Sequence, residues 1–200
     1  EKHKHNPVFI DDMIKTTDHS VTKMNHILQK LKNSNGETAT EESSETTLND
    51  APMKLQTVSV LKLIRAVLST KSQHKPEPSF TDCDPNLSIS VDPDLFSSAL
   101  GHILKNAQDA TDNDGSIQIT VEKSEQQVRI LTTDNGAGME SDFIKNNLFR
   151  PFDSTKGLVG MGIGAFQSRE YCRNMGGDLT VTSEPQRGAC FCMTFPEASD

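Results

Sequence analysis

The order of elements legible in this sequence predicts an α+β fold, a two-layer α/β sandwich in which helices cover one face of a mixed sheet, preceded by a long N-terminal helix. Three observations carry the prediction. Two runs between Gly115 and Phe195 alternate apolar and polar residues, and each folds back about a turn. The segments before and between them place apolar groups at three- and four-residue steps. Residues 7–31 form one amphipathic stripe.

Within that first stripe Phe9, Met13, Val21, Met24, Leu28 and Leu31 recur at helical spacing, with Ile10, Ile14 and Ile27 beside them. Pro7 fits a first turn, where its missing N–H costs nothing. A lone helix cannot bury such a stripe, so residues 1–32 are expected to pack on a partner helix, upstream or on a second chain. Residues 33–52 are polar, acidic and poor in core-forming groups, the composition of a flexible linker. The second domain then runs over residues 53–200.

Residues 54–59 read as a short strand and 60–72 as a helix carrying Leu61, Ile64, Val67 and Leu68 toward a core. Two short strands, 79–83 and 87–91, follow between prolines and aspartates. Asp92-Pro93 opens a helix whose Phe96, Leu100, Ile103, Ala107 and Ala110 share one face. Ile117, Ile119 and Val121 are expected to pair with Val128, Ile130 and Thr132 across a Ser-Glu-Gln turn. A helix over 163–175 ends at Gly176-Gly177, and 179–181 with 190–195 closes a last hairpin around 185–188.

Composition narrows the classes of function. A hydrophobic content of 34% in 200 residues supports one moderate core with a small appendage. The longest apolar run is interrupted by Lys62 and Arg65 and falls short of a membrane span. The chain begins without Met or an apolar signal, so it is expected to be cut from a longer, cytoplasmic protein whose upstream segments would supply any inner-membrane anchor. A net charge of −8 argues against nucleic acid as a partner. Cys83, Cys172, Cys190 and Cys192 lack the paired spacing of a zinc site and read as reduced core cysteines.

Three motifs carry chemistry. On the helix after Asp92, His102, Asn106 and Asp109 form a polar stripe beside the apolar one. The Asn106 carboxamide is a hard, neutral ligand suited to magnesium, which fills its octahedron with water and phosphate oxygens. Asp134-Asn-Gly136-Ala-Gly138 follows an apolar strand: an acceptor-only carboxylate fixed at a strand end accepts from adenine's amine and not from guanine's O6. Gly160-Met-Gly162-Ile-Gly164 leads into a helix and offers N–H groups to phosphates. Each alone is an ordinary solvated face, turn or hinge. Their order, helix then strand end then helix entrance, surrounds one Mg-ATP.

The chain resembles the ATP-binding catalytic domain of two-component sensor histidine kinases, in the superfamily shared with gyrase B, Hsp90 and MutL. His102 to Ala110 is similar to the family's N box, Asp134 to Gly138 to its G1 box, Leu148 to Phe152 to its F box and Gly160 to Gly164 to its G2 box. The stretches around Gly101 to Thr111, Phe152 to Lys156 and Gly160 to Gly164 look especially similar to exosortase-associated (PEP-CTERM) histidine kinases. The resemblance implies a Bergerat-type fold in which Asn106 binds magnesium and Asp134 reads the adenine amine. Gly136 and Gly138 would line the base pocket, and Gly160, Gly162 and Gly164 would contact phosphates at the hinge of a lid over 139–159. Phe149 and Phe152 would anchor that lid, and Thr155 and Lys156 would meet the γ-phosphate.

Two departures from the pattern refine it. His102 stands where gyrase-like ATPases carry a water-activating glutamate, which favours phosphotransfer over an ATP-hydrolysing conformational switch. Ala189 stands where the family usually carries threonine. None of His3, His5, His19, His26, His74 or His102 is followed by the acidic residue expected after a phosphoacceptor. Residues 1–32 therefore read as the second helix of a dimerisation hairpin, with the acceptor histidine outside the chain and a response regulator receiver domain as the next partner. A nucleotide-gated pseudokinase module is the non-enzyme alternative.

Overall fold

The computed structural model describes residues 54–71, 75–151 and 163–198. The helix and linker expected over 1–32 and 33–52, and the site candidates Phe152, Thr155, Lys156, Gly160 and Gly162, lie outside the described residues.

The elements run β1 (Gln56–Ser59), α1 (Val60–Lys71), β2 (Pro78–Phe80), β3 (Ser88–Val91), α2 (Pro93–Ala110), β4 (Ile117–Ser124), β5 (Gln127–Asp134), α3 (Ser141–Asn146), α4 (Gly164–Asn174), β6 (Asp178–Ser183) and β7 (Ala189–Pro196). Five strands form a sheet in the order β2-β4-β5-β7-β6, while β1 and β3 pair separately. Among the described strands only β2 on β4 is parallel, so the sheet is mixed as expected. β2 is shorter than the strand read over 79–83, and Cys83 falls beyond it. Its parallel pairing with β4 runs over three residues, Pro78 to Phe80 against Ile117 to Ile119.

The β4–β5 register matches the alternation: Val121 sits opposite Ile130 and Ile119 opposite Thr132, with the turn made at Glu125, φ 51°. Following the pairs across to β7 places Ile117, Ile119, Ile130, Asp134, Ala189, Phe191, Met193 and Leu179 on one face. That face meets α1, α2 and α4, and the apolar core fills the space between the layers.

α2 begins where its chemistry dictates. Pro93 occupies the first turn, and the Asp92 Oδ1 accepts from the Asp94 and Leu95 N–H groups at 3.0 and 3.2 Å. Its Oδ2 accepts from the Lys54 N–H at 3.0 Å. Burial alone would raise the Asp92 carboxyl, but these three N–H donors, Leu95 foremost, outweigh it and hold it below the usual carboxylate range. Phe96, Leu100, Ile103 and Ala107 are buried as the spacing predicts, and Leu104 and Gln108 widen the stripe. Ala110 is exposed, contrary to the stripe; it is the last residue of the helix, and its carbonyl rather than its methyl makes the contact that matters.

Against the start of α2, the Tyr171 hydroxyl donates to the Asp92 carbonyl at 3.2 Å, and Phe195 lies between the Phe96 and Tyr171 rings at centroid distances of 5.9 and 6.2 Å. Burial pushes the Tyr171 phenol well above its usual value, so it stays neutral. The Cys172 thiol is pushed up to about 12, first by burial and then by Asp178, which makes it a small apolar group in practice. Cys190 and Cys192 pair with Thr133 and Leu131, which places them on the sheet face opposite the helices rather than in the main core. All four cysteines are free. Among the described residues, no helix is long and apolar enough to cross a membrane.

Candidate functional site

The site is assembled where β5 ends. The chain leaving Asp134 is stitched to α2 on one side, the Ala137 N–H donating to the Ala110 carbonyl at 2.9 Å, and to the β6–β7 turn on the other, the Gln186 N–H donating to the Ala137 carbonyl at 2.7 Å. The Met139 N–H donates to the Ser183 hydroxyl at 2.9 Å, and that hydroxyl donates to the Gly188 carbonyl at 2.6 Å. Asn135 joins the start of β4, its Oδ1 accepting from the Ser116 N–H at 2.8 Å.

Such close approach explains the two glycines of the motif. A Cβ on Gly136 would stand 2.3 Å from the Ala110 carbonyl oxygen. Gly138 adopts φ +66°, and a Cβ there would stand 2.0 Å from the Glu184 carbonyl oxygen. Both contacts are chain on chain, so these glycines hold the loop in place whatever they line.

Asp134 is 5% exposed and points toward the helix layer. Its Oδ1 accepts from the Gly136 N–H at 2.9 Å and the Ala189 N–H at 3.2 Å. Burial raises the carboxyl above the usual carboxylate range, and the two N–H donors oppose it without cancelling it. A desolvated carboxylate held at a strand end is a strong acceptor for an amine. Ala189 sits directly across from Asp134 in the register and supplies an N–H but no hydroxyl.

Asn106 is half-buried on α2, and among the described residues no side-chain hydrogen bond occupies its carboxamide. One turn earlier, the half-buried His102 lies against the start of α4: a Cβ on Gly164 would stand 3.4 Å from the His102 Cβ and Cγ. Ser168 fixes that junction, its hydroxyl donating to the Gly164 carbonyl at 2.8 Å and to the Ala99 carbonyl at 3.2 Å. Among the described residues no side chain caps the entrance of α4. Asp109 sits on the exposed flank and pairs with Lys105 at i,i+4. Phe149 packs half-buried on the core, with the Arg169 guanidinium 4.4 Å from its centroid.

α2 thus meets two of these segments, Gly136 at Ala110 and Gly164 at His102, with Asn106 on the same helix between them, while Asp109 is exposed. A cavity of about 420 Å³ between α3 and β6 is lined by Ile144, Phe149, Arg169 and Val181 among others and includes neither Asp134 nor Asn106. Thr111 is a residue the sequence did not mark. Its hydroxyl is buried without a hydrogen-bond partner among the described residues, 2.9 Å from where a Gly136 Cβ would stand. Its place directly after the helix motif was the available signal.

The layout defines a class, the two-layer ATPase domain built of a mixed sheet and a covering helix layer. The chain belongs to the histidine kinase-, DNA gyrase B- and HSP90-like ATPase family, whose profile matches residues 91–199. The sensor histidine kinase ZraS of Escherichia coli (strain K12) is 30% identical over 148 residues, covering 72% of this chain and 31% of ZraS. The adaptive-response sensory kinase SasA of Prochlorococcus marinus (strain MIT 9215) is 33% identical over 121 residues, covering 58% of this chain and 32% of SasA. The chain therefore spans about a third of the length of these relatives. Among solved structures, the nucleotide-free catalytic domain of histidine kinase ThkA aligns with a TM-score of 0.64 at 23% identity, over 72% of this chain and 97% of that one. Full-length ShkA in complex with AMPPNP aligns with a TM-score of 0.63 at 23% identity, over 76% of this chain and 33% of that one. Both share the fold.

Proposed function

We propose that the chain binds Mg-ATP and serves as the catalytic domain of a sensor histidine kinase, donating the γ-phosphoryl group to a histidine outside the chain for relay to a response regulator aspartate. Residues 1–32 would be the second helix of a dimerisation hairpin and 33–52 a linker to the catalytic domain at 53–200. The parent protein would work in the cytoplasm. The observation that carries the reading is Asp134: a desolvated, acceptor-only group at the end of β5, tied by the Gly136 N–H to the same loop that α2 holds through Ala110.

The residues fit the group. Asp134 would accept from the adenine amine, Gly136 and Gly138 would fix the backbone beside the base, and Thr111 offers an unused buried hydroxyl to that pocket. Asn106, a hard neutral carboxamide on α2, would share magnesium with phosphate oxygens and water. The ion and the nucleotide supply a polarised terminal phosphoryl group; the protein's task is to hold it in line and stabilise its charge. The entrance of α4 at Gly164, which no described side chain caps, would offer N–H groups and a positive dipole end to phosphates, beside His102 and one turn from Asn106. Lys156 and Thr155 would complete the γ-phosphate contacts.

A thermal-shift titration tests the reading. Mg-ATP at about one hundred times its dissociation constant should stabilise the fold by about 2.7 kcal/mol, GTP should not, and Asn106→Ala should reduce the shift in magnesium to that seen in EDTA. Equal shifts with ATP and GTP, or an Asn106→Ala protein as magnesium-responsive as the parent, would remove the assignment.

A further inference from the structure

Along β7 the side chains alternate between the two faces of the sheet. Ala189, Phe191, Met193 and Phe195 are buried against the helix layer, which leaves Cys190 and Cys192 side by side on the other face. Thr133 and Leu131 stand opposite them on β5, and Thr182 and Thr180 on β6. The three threonines are exposed and Cys190 is half-buried, so among the described residues the surroundings of the pair are open to solvent. Both cysteines are free. The Arg129 guanidinium, paired with Glu122 at 3.2 Å, is also turned to this place: the Cys192 side chain is the foremost of the groups that raise it above its ordinary value.

Two thiols at this spacing suit a metal better than they suit each other. β7 is paired on both sides, which holds its backbone extended. Residues two apart on such a strand start about 6.7 Å apart, whereas a disulfide needs Cβ atoms about 3.8 Å apart. A metal–thiolate bond is about 2.3 Å, so a linear sulfur–metal–sulfur unit spans about 4.6 Å, which two side chains leaning together can reach. Thiolates are soft ligands and select soft ions. The neighbouring threonines add only hard, neutral hydroxyls, and zinc as a rule takes four ligands. The fit is to an ion that takes two sulfurs alone.

We propose that Cys190 and Cys192 form a two-coordinate site for a soft monovalent metal ion, Cu(I) or Ag(I), on the sheet face away from the helix layer. On binding, each thiol releases its proton to solvent and each sulfur forms one bond to the metal, with no change of oxidation state. The resulting bis-thiolate unit carries one negative charge, which the Arg129 guanidinium balances. Asp134 points toward the helix layer, so the site stands apart from the Mg-ATP reading and does not rest on it.

Anaerobic titration of the 200-residue chain with Cu(I), against the chromogenic chelator bicinchoninate, tests the proposal. A Cys83→Ser background removes the other half-buried thiol. One Cu(I) per chain should be retained, and native mass spectrometry should show the mass of one copper less two protons. Cys190→Ser and Cys192→Ser should each lose more than the roughly 100-fold that removing a supporting hydrogen-bond partner costs a metal site. Cys190→Ser, at the half-buried position, decides the matter where Cys192→Ser fails to fold. Uptake unchanged in Cys190→Ser, a parent that yields all its copper to the chelator, or Zn(II) retained in preference to Cu(I) would overturn the proposal.

Discussion

Asp134 shows how a single residue can be set against its own fold. Its carboxyl is raised by burial, so the group favours the folded state when protonated: that contribution is present below the ordinary carboxylate pKa and is lost as pH rises through the raised folded value. At neutral pH the ion is carried at a cost that an incoming amine would offset. Asp134→Asn should therefore leave the nucleotide-free protein as stable or more stable at neutral pH, while weakening ATP by about 10- to 100-fold. ATP affinity of the parent should fall on acidification at a higher pH than an ordinary carboxylate would give. Calorimetry and thermal melts across the acid range check both, and a destabilised Asp134→Asn protein that still prefers ATP to GTP would contradict the role. Asp134 drew notice only in company: an acid before glycines is by itself an ordinary turn, and its place between the helix motif and the later glycine motif gave it weight. Thr111 drew none, because a hydroxyl's lack of a partner is a property of the packed structure.

At the scale of elements, local chemistry wrote the boundaries that proved readable. Asp92-Pro93 announces α2, and the Glu125 turn follows from two alternating runs brought face to face. α3 was not foreseen: its six residues are fewer than two turns, too short for periodicity to show. Ala110 was assigned to the core because helical spacing does not reveal where the sheet beneath a helix ends. Asp92 joins α2 to the chain before β1, because one carboxylate takes N–H groups from both. Replacing it with alanine should cost about 1–2 kcal/mol in urea unfolding at neutral pH. Its depressed carboxyl contributes stability above the ordinary carboxylate pKa, lost as pH falls through the lowered value. The gap between parent and Asp92→Ala should therefore narrow in acid; a constant gap would assign the effect to packing.

For the whole molecule, the described parts of the motifs meet α2, Gly136 at Ala110 and Gly164 at His102, because elements distant in the sequence are neighbours in the fold. β5 lies between β4 and β7, so the loop after Asp134 is caught between α2 and the β6–β7 turn, and α4 reaches α2 through Ser168. Motif order was legible in the sequence, but the glycines' chain-on-chain contacts were not, since which backbone crosses a glycine depends on the complete topology. Every described site residue lies after residue 53, and the helix layer, sheet and core that position them do too. A protein reduced to residues 53–200 should therefore fold cooperatively and show the same Mg-ATP thermal shift as the full chain. The amphipathic stripe of residues 7–31 would be left to determine association, so sedimentation should give a dimer for the full chain and a monomer for the shortened one. A shortened protein that folds but loses the nucleotide shift would place part of the site in the first 52 residues, and a dimer that survives the cut would move the association surface into the catalytic domain.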